Sequence, residues 1–568
     1  MGGGQIERWQ SVAARKQSTR ESILQGYSKW RLDKLPGDDV LDVSELCLSK
    51  LTDKEKVIVH QDATELVTAI GSKQYTAVEV LWAFIKVAII AQDTTNCLTE
   101  IFFEEGLARA EECDKHLQET GHVLGPLHGL PVSVKDHILL KGQDTSTGYI
   151  LWANKTIADE DATAVALLKQ AGAVLYTKTA NPQTLLSLET NNNVFGRTLN
   201  VFNRKLSPGG SSGGEGALIS AHGSPLGLGT DIGGSIRTPA AFCGLYGFKP
   251  SVARMPHGGL NGSQAGMDNI VGVLGPIATS ARDLGLFSRV MLQYEPWLLE
   301  PPLLRMPWQE EVAKGKGLPK KLSIAVLWDD GVVAPHPPIR AALEEAKSAL
   351  LAAGHEVLDW QPLDHHVAAW RLICKLYLLD GGKEYYDTLN QAGEPAVSQT
   401  AWILSQHTQA YSAAQTWPLN VEREAIRMQV LRYWNETISR TSTGRPFDII
   451  LCPCHPTLAS EHDTTRWWGY TSYWNLLDYT SAVFPVGRHQ KDQKYECELP
   501  AARNPTEEYV HSLWDAERYQ NAPVSLQLVG RRHDEEKVLA ILDVVEDALK
   551  KARNIVETKD GQGTCTLS

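Results

Sequence analysis

The chain has 568 residues, and 55 Lys and Arg stand against 67 Asp and Glu, a formal net charge of -12. That balance speaks against a phosphate-tracking surface, because nucleic-acid affinity rests on Lys and Arg displacing condensed counterions. With 43 % hydrophobic and 21 % charged residues, a disordered or fibrous chain is excluded too.

The amino-terminal stretch to about residue 120 reads mostly helical. Thr52-Asp-Lys-Glu55 has the form of a capping box, Thr76 precedes an apolar run, and residues 108–116 mix alanine with charge. The run over residues 77–91 is broken by Glu79 and Lys86 and is too short to span a bilayer, so it is expected to be a core helix. Residues 1–10 are glycine-rich and polar, which is not the pattern of a secretory signal, and Ile6 stands where a myristoylation site wants Ser or Thr. Nine cysteines, spread from Cys47 to Cys565, are too sparse for a disulfide framework, so reduced thiols and a cytoplasmic setting are expected. Cys452-Pro-Cys454-His455 lacks the second ligand pair of a structural zinc site and reads as buried cysteines at a strand end.

From Gly125 the character changes. Turn residues lead into the short strand Val132-Ser-Val-Lys-Asp136, then residues 161–172 have helical spacing and Ala173-Val-Leu-Tyr-Thr177 reads as a buried strand. Further strands are expected at 322–327, 448–451 and 524–529, with a proline-started helix over 336–353 and helical stretches such as 421–440. Six of the sixteen tryptophans fall between residues 402 and 474; most are expected in the core and some against an apolar substrate pocket. Length alone suggests three or four domains. Yet no linker divides the middle and no repeat is present, so one continuous α/β unit is expected: a helical segment over 1–120 packed on a body over 121–556, with a loose tail over 557–568.

Residues 209–247 hold twelve glycines in 39 positions, beside serines. Removing Cβ lets the backbone adopt unusual dihedrals and brings its N–H groups close to a substrate. Neither GxxxxGK[ST] nor GxGxxG is present, which disfavours a nucleotide cradle. Gly209-Gly-Ser-Ser-Gly213 satisfies the GxSxG of an α/β-hydrolase elbow, with Asp478 and His489, His511 or His533 following, but nothing singles out one pair.

A lysine ending a strand at 135, a serine pair at 211 and 212, and an isolated serine at 235 behind a double glycine together resemble the amidase signature family. Leu130-Pro-Val-Ser-Val-Lys-Asp136, Ser207 to Gly216 and Gly229-Thr-Asp-Ile-Gly-Gly-Ser-Ile-Arg237 match its three motifs; Asn475-Leu-Leu-Asp-Tyr479 and Pro523-Val-Ser-Leu-Gln-Leu-Val-Gly530 look like its carboxy-terminal segments in acetamidase-like and fatty acid amide hydrolase-like members. The resemblance implies α/β/α layers around a large mixed sheet, and hydrolysis of a carboxamide through a Ser-Ser-Lys triad without metal or organic cofactor. In it Ser235 is the nucleophile, Ser211, following a cis peptide, the proton relay, and Lys135 the base. The backbone N–H groups of Ile232, Gly233, Gly234 and Ser235 form the oxyanion hole; Ser187 braces backbone or lines the pocket; Ser212, Asp231 and Arg237 support. As a base near pH 7, Lys135 must come down from about 10.4, at roughly 4 kcal/mol. Burial against Val132 and Val134 with serines as polar contacts is expected to supply this, and nearby carboxylates to oppose it. The acidic excess is therefore expected on outer helices, away from the cleft. His128 and His137 sit near the lysine motif, but the implied chemistry needs neither.

The implied partner is a small-molecule amide, with a homodimer left open and neither nucleic acid nor a transmembrane segment expected. No apolar amino-terminal helix of the kind found in animal fatty acid amide hydrolases precedes the motifs, which disfavours a lipid substrate. Acyl transfer to an amine, the glutaminase subunit of an amidotransferase and a non-catalytic binder are the alternatives. Asp231-Ile-Gly-Gly resembles stand-alone amidases more than the glutaminase.

Overall fold

The computed structural model describes residues 8–561, with side chains to residue 554. Its strands in chain order are β1 (Leu98–Ile101), β2 (Pro131–Lys135), β3 (Val174–Thr179), β4 (Asn191–Asn192), β5 (Gly196–Arg197), β6 (Leu226–Asp231), β7 (Tyr246–Lys249), β8 (Val273–Ala278), β9 (Ser323–Val326), β10 (Glu356–Asp359), β11 (Ile449–Pro453), β12 (Ser481–Arg488) and β13 (Pro523–Val529). All but the small β4–β5 pair join one 11-stranded sheet in the order β1-β3-β2-β6-β8-β7-β12-β13-β11-β9-β10. Its wings are parallel, β3-β2-β6 and β11-β9-β10, and its middle from β6 to β11 is antiparallel. The mixed sheet is the expected one, and it draws strands from residue 98 to residue 529.

Alternation along the strands shows why helices cover both faces. In β11, Ile449 and Leu451 enter one apolar core while Ile450 and Cys452 enter another. In β9, Ile324 and Val326 divide from Ala325 in the same way. A strand apolar at every position must be buried on both sides. The first core is closed by the helices Ala77–Thr95 and Pro337–Ala352, the second by His366–Tyr377, Ala413–Glu436 and Gly469–Leu477.

The amino-terminal stretch is helical as read from its caps, and both Thr52 and Thr76 form capping boxes. One strand, β1, interrupts it and pairs antiparallel with β3, because Leu98 and Ile101 bury against the sheet edge. The final helix, Glu535–Gly561, runs past residue 557, where a tail was expected; acidic residues at its start and an apolar stripe along it favour continuation. The remainder of that expected tail lies outside the described residues. Cys452 and Cys454 are buried at the end of β11. Among the described residues no helix is long and apolar enough to cross a membrane.

The helix Trp9–Gln25 is tied to the sheet by a buried cation. Lys16 is 4 % exposed and reaches Glu100 at 2.7 Å and Asp144 at 2.8 Å. Removing it strands two carboxylates in low dielectric, so Lys16→Ala is expected to cost about 3–5 kcal/mol. A lowered midpoint of thermal unfolding checks this.

Candidate active site

Strand β2 and strand β6 lie side by side and parallel, with Ser133 opposite Gly227 and Val134 opposite Leu228. Parallel strands bring their carboxyl ends to one edge of the sheet, where α/β folds open their crevices. Lys135 therefore ends β2 beside Thr230 and Asp231, which end β6. A cavity of about 380 Å³ opens there, walled by Ser211, Thr230, Ser235 and His137 among others.

Lys135 is wholly buried. Its Nζ lies within hydrogen-bond distance of Ser211 Oγ, at 2.6 Å, and of Thr230 Oγ1, at 3.0 Å. Val132 and Val134 were expected to bury it, but alternation along β2 turns them to the opposite face. The polar contacts are one serine and one threonine, not serines alone. Burial drives the ammonium down to about 7, against the opposing pull of Asp231 and Glu215. The opposition expected of nearby carboxylates comes from these two, and both are restrained. Burial raises Glu215 to about 7, opposed by hydrogen bonds from Ser133 and Thr179 and by the Lys135 charge. Burial also pushes Asp231 upward, but the charge and hydrogen bonds of Arg237 outweigh it, with Lys249 and Asn475 adding to them, and hold it well below the usual carboxylate range.

Asp231 organises the loop that carries Ser235. Its carboxylate takes Arg237 Nε and Nη2 at 3.0 Å each, Asn475 Nδ2 at 2.9 Å, and the backbone N–H groups of Gly234 at 2.9 Å and Ile236 at 3.1 Å. The carbonyls of the loop are pinned in turn: Ile232 by Tyr377 Oη at 2.6 Å, Gly233 by Thr471 Oγ1 at 2.7 Å, Gly234 by the Thr238 N–H at 2.7 Å, and Ser235 by the Ser212 N–H at 3.1 Å. Because a trans peptide sets its N–H opposite its carbonyl, pinning Ile232 O and Gly234 O aims the N–H groups of Gly233 and Ser235 the other way. Gly234 has φ +134°, and a Cβ there would meet Thr471 Oγ1 at 2.5 Å, so the loop requires glycine.

Of the four N–H groups expected to form an oxyanion hole, one is already taken. Those of Ile232, Gly233 and Ser235 find no acceptor among the described residues, whereas Gly234 spends its N–H on Asp231. That is a correction, and its reason is the buried Asp231 carboxylate, which needs every donor within reach.

Ser211 follows a cis Gly210–Ser211 peptide bond. A Cβ on Gly210 would stand 2.6 Å from the Glu189 backbone, so the serine loop packs directly on that segment. Ser187 serves that packing: its hydroxyl donates to Glu189 O at 2.9 Å and accepts from Glu189 N at 3.0 Å, while Thr184, Leu185 and Leu186 face the cavity. Ser212 Oγ lies 3.4 Å from both the N and O of Thr230. The hydroxyl of Ser235 opens onto the cavity that Ser211 also lines and makes no hydrogen bond among the described residues. None of the tryptophans between 402 and 474 walls the cavity; Trp434 and Trp474 are core residues and Trp417 is 66 % exposed. His489, His511 and His533, which the elbow reading required, lie outside the lining as well. Three residues that sequence reasoning passed over, Thr230, Tyr377 and Thr471, hold the site, and His137 touches it through Thr230 at 2.8 Å. Asn475 was noted for its motif but not for its grip on Asp231.

Ser211 and Ser235 thus line one cavity, with the buried Lys135 behind Ser211 and unspent backbone N–H groups beside Ser235. The family model described as Amidase matches residues 79–539. The chain is 38 % identical to the acetamidase of Emericella nidulans over 543 residues, 95 % of this chain and 98 % of that one. It is also 38 % identical to the acetamidase of Aspergillus oryzae over 541 residues, 94 % and 98 % of the two chains. The solved structure of a fatty acid amide hydrolase superposes with a TM-score of 0.88 at 32 % identity, covering 96 % of this chain and 95 % of that one. The chain belongs to the amidase signature family and is an amide-hydrolysing enzyme.

Asp231→Asn keeps the shape but gives up the charge that answers Arg237. The expected outcome is a loss of about 3–5 kcal/mol in stability, read by thermal unfolding, with turnover of any amide substrate falling at least about 10-fold as the loop loosens.

Proposed function

We propose that the protein cleaves an uncharged carboxamide through a Ser235–Ser211–Lys135 triad and an acyl-enzyme. The observation that carries this reading is a wholly buried Lys135 with only hydroxyl partners, one of them Ser211 at 2.6 Å. A neutral amine in that position accepts a proton from Ser211, which takes the proton of Ser235 as its Oγ bonds to the amide carbon. The carbonyl oxygen, now anionic, is met by the N–H groups of Ile232, Gly233 and Ser235, each such donor being worth about 10²–10³ in rate. Collapse breaks the C–N bond, and the proton returns from Lys135 through Ser211 to the leaving nitrogen. Water then attacks the ester by the same route, releasing the acid and restoring Ser235. The balance holds without an added electron carrier or metal.

The cavity walls favour a neutral, apolar acyl group. Leu185, Leu186, Leu260, Met267 and Ile270 line it, and its one carboxylate, Asp231, is spent on Arg237. An acyl group carrying its own carboxylate or ammonium finds no counter-charge there and pays its desolvation in full. At about 380 Å³ the space exceeds what acetamide fills, so in a panel of acetamide, hexanamide, benzamide and glutamine the aryl or alkyl amides are expected to give the highest kcat/KM and glutamine the lowest.

Lys135→Ala is expected to lower amide turnover by at least about 10²–10⁴ with the fold intact. Full activity in that variant would point to another base. A fluorophosphonate is expected to label the peptide bearing Ser235, and mass spectrometry reads this directly. The acid limb of kcat/KM is expected near pH 7. As pH falls through about 7, Lys135 takes up a proton and loses the lone pair it needs.

A further inference from the structure

His137 stands two residues beyond the lysine, is 5 % exposed and forms part of the cavity wall. Its Nε2 lies 2.8 Å from Thr230 Oγ1, and its Nδ1 faces the backbone carbonyl of Asn261 at 3.3 Å. Thr230 Oγ1 is in turn the second partner of Lys135, at 3.0 Å. The three side chains form an unbroken line: Lys135, Thr230, His137.

The hydrogens in that line can point in one of two directions. A carbonyl accepts and never donates, so Asn261 O fixes the ring proton of a neutral imidazole on Nδ1 and leaves Nε2 with a lone pair. Asn261 is itself held, its N–H donating to His137 O at 2.8 Å and its Nδ2 to Thr145 O at 3.0 Å. Thr230 then donates its one hydrogen to His137 Nε2 and accepts from Lys135. A neutral Lys135 has two hydrogens and one lone pair; with one hydrogen committed to Thr230, its lone pair is free for Ser211 at 2.6 Å. In the reverse direction, with a hydrogen on Nε2, the Thr230 hydroxyl turns its own hydrogen toward Lys135 and occupies that lone pair.

We infer that His137 is a positioning residue for amide cleavage: by accepting the hydrogen of Thr230 it sets the direction of the hydrogen-bond line and keeps the lone pair of Lys135 facing Ser211. The inference rests on Lys135 being the base. The surroundings keep the ring neutral. Burial lowers the proton affinity of His137 well below the ordinary imidazole range, and the charge of Lys135 on its own segment adds to this. The bond to Asn261 opposes it, while His257 across the cavity and Lys178 on β3 lower it further. The nearest carboxylates are otherwise engaged. Asp136 binds Thr99, Ser146 and the Thr147 N–H, and Asp231 binds Arg237.

The test compares His137→Phe, His137→Gln and Thr230→Val in the full chain, on the best amide of the panel above, with kcat and KM followed across pH. His137→Phe fills the space without an acceptor. It is expected to lower kcat by about 10- to 100-fold, part of what general-base catalysis supplies, with KM within about 3-fold. The acid limb of kcat/KM should move to lower pH, since a hydrogen donated into the Lys135 lone pair stabilises the neutral amine. His137→Gln, whose Oε1 accepts, is expected to recover most of the loss. Thr230→Val removes the hydroxyl that would turn toward Lys135, so in a Thr230→Val background His137→Phe should add no further loss of kcat. A His137→Phe enzyme with kcat within 2-fold of the parent and an unmoved limb overturns the inference. So does a loss confined to KM, which a mere wall residue would give, or a Gln variant as poor as Phe. If His137→Phe does not fold, His137→Leu, which likewise offers no acceptor to Thr230, decides by the same criteria. An active Lys135→Ala enzyme would instead overturn the choice of base, a separate result.

Discussion

An amine placed in a wholly buried site without a counter-ion is the constraint around which this molecule is arranged. Charge on Lys135 is costly there, and that cost brings its proton affinity down to about 7. Two carboxylates stand close enough to undo the effect. Each is disarmed differently: Asp231 keeps its charge but commits it to Arg237, Asn475 and two backbone N–H groups, whereas Glu215 is pushed up to about 7 and shares hydroxyl bonds with Ser133 and Thr179. Two acids on one strand-and-helix pair thus end with proton affinities far apart by environment alone.

The same commitment of Asp231 shapes the loop that carries Ser235. A buried anion collects donors, and those it collects from Gly234 and Ile236 bend the chain while the N–H groups of Ile232, Gly233 and Ser235 are left without an acceptor among the described residues. This also explains why the loop tolerates no side chain at Gly234, where the turn crowds Thr471.

How much of this was legible in the sequence depends on range. Lys135, Ser211 and Ser235 each sit in a local motif, and the cis bond before Ser211 accompanies one of them. Strands β2, β3, β9, β11 and β13 announce themselves as apolar runs between turn residues. β1 did not, because four residues inside a helix-rich stretch become a strand through pairing with β3; β7 and β8 were likewise hidden in a glycine-rich region whose backbone freedom masks period. Tyr377 and Thr471 were out of reach for another reason. They grip the loop across 145 and 238 residues, and a lone Tyr or Thr on a helix carries no sign of that. The N–H groups of residues 232–235 show the limit most sharply, for all four look alike in sequence, yet only that of Gly234 is taken up by Asp231.

The grip of Tyr377, Thr471 and Asn475 has a consequence for the order in which this enzyme comes into being. All three motifs that name its chemistry are complete by residue 237, less than halfway along the chain. The carbonyls of Ile232 and Gly233, and one of the partners of Asp231, wait for side chains added more than a hundred residues later. During synthesis the three motifs are thus complete well before the side chains that hold the Ser235 loop, and that loop gains its full set of contacts only when the later helices pack against it.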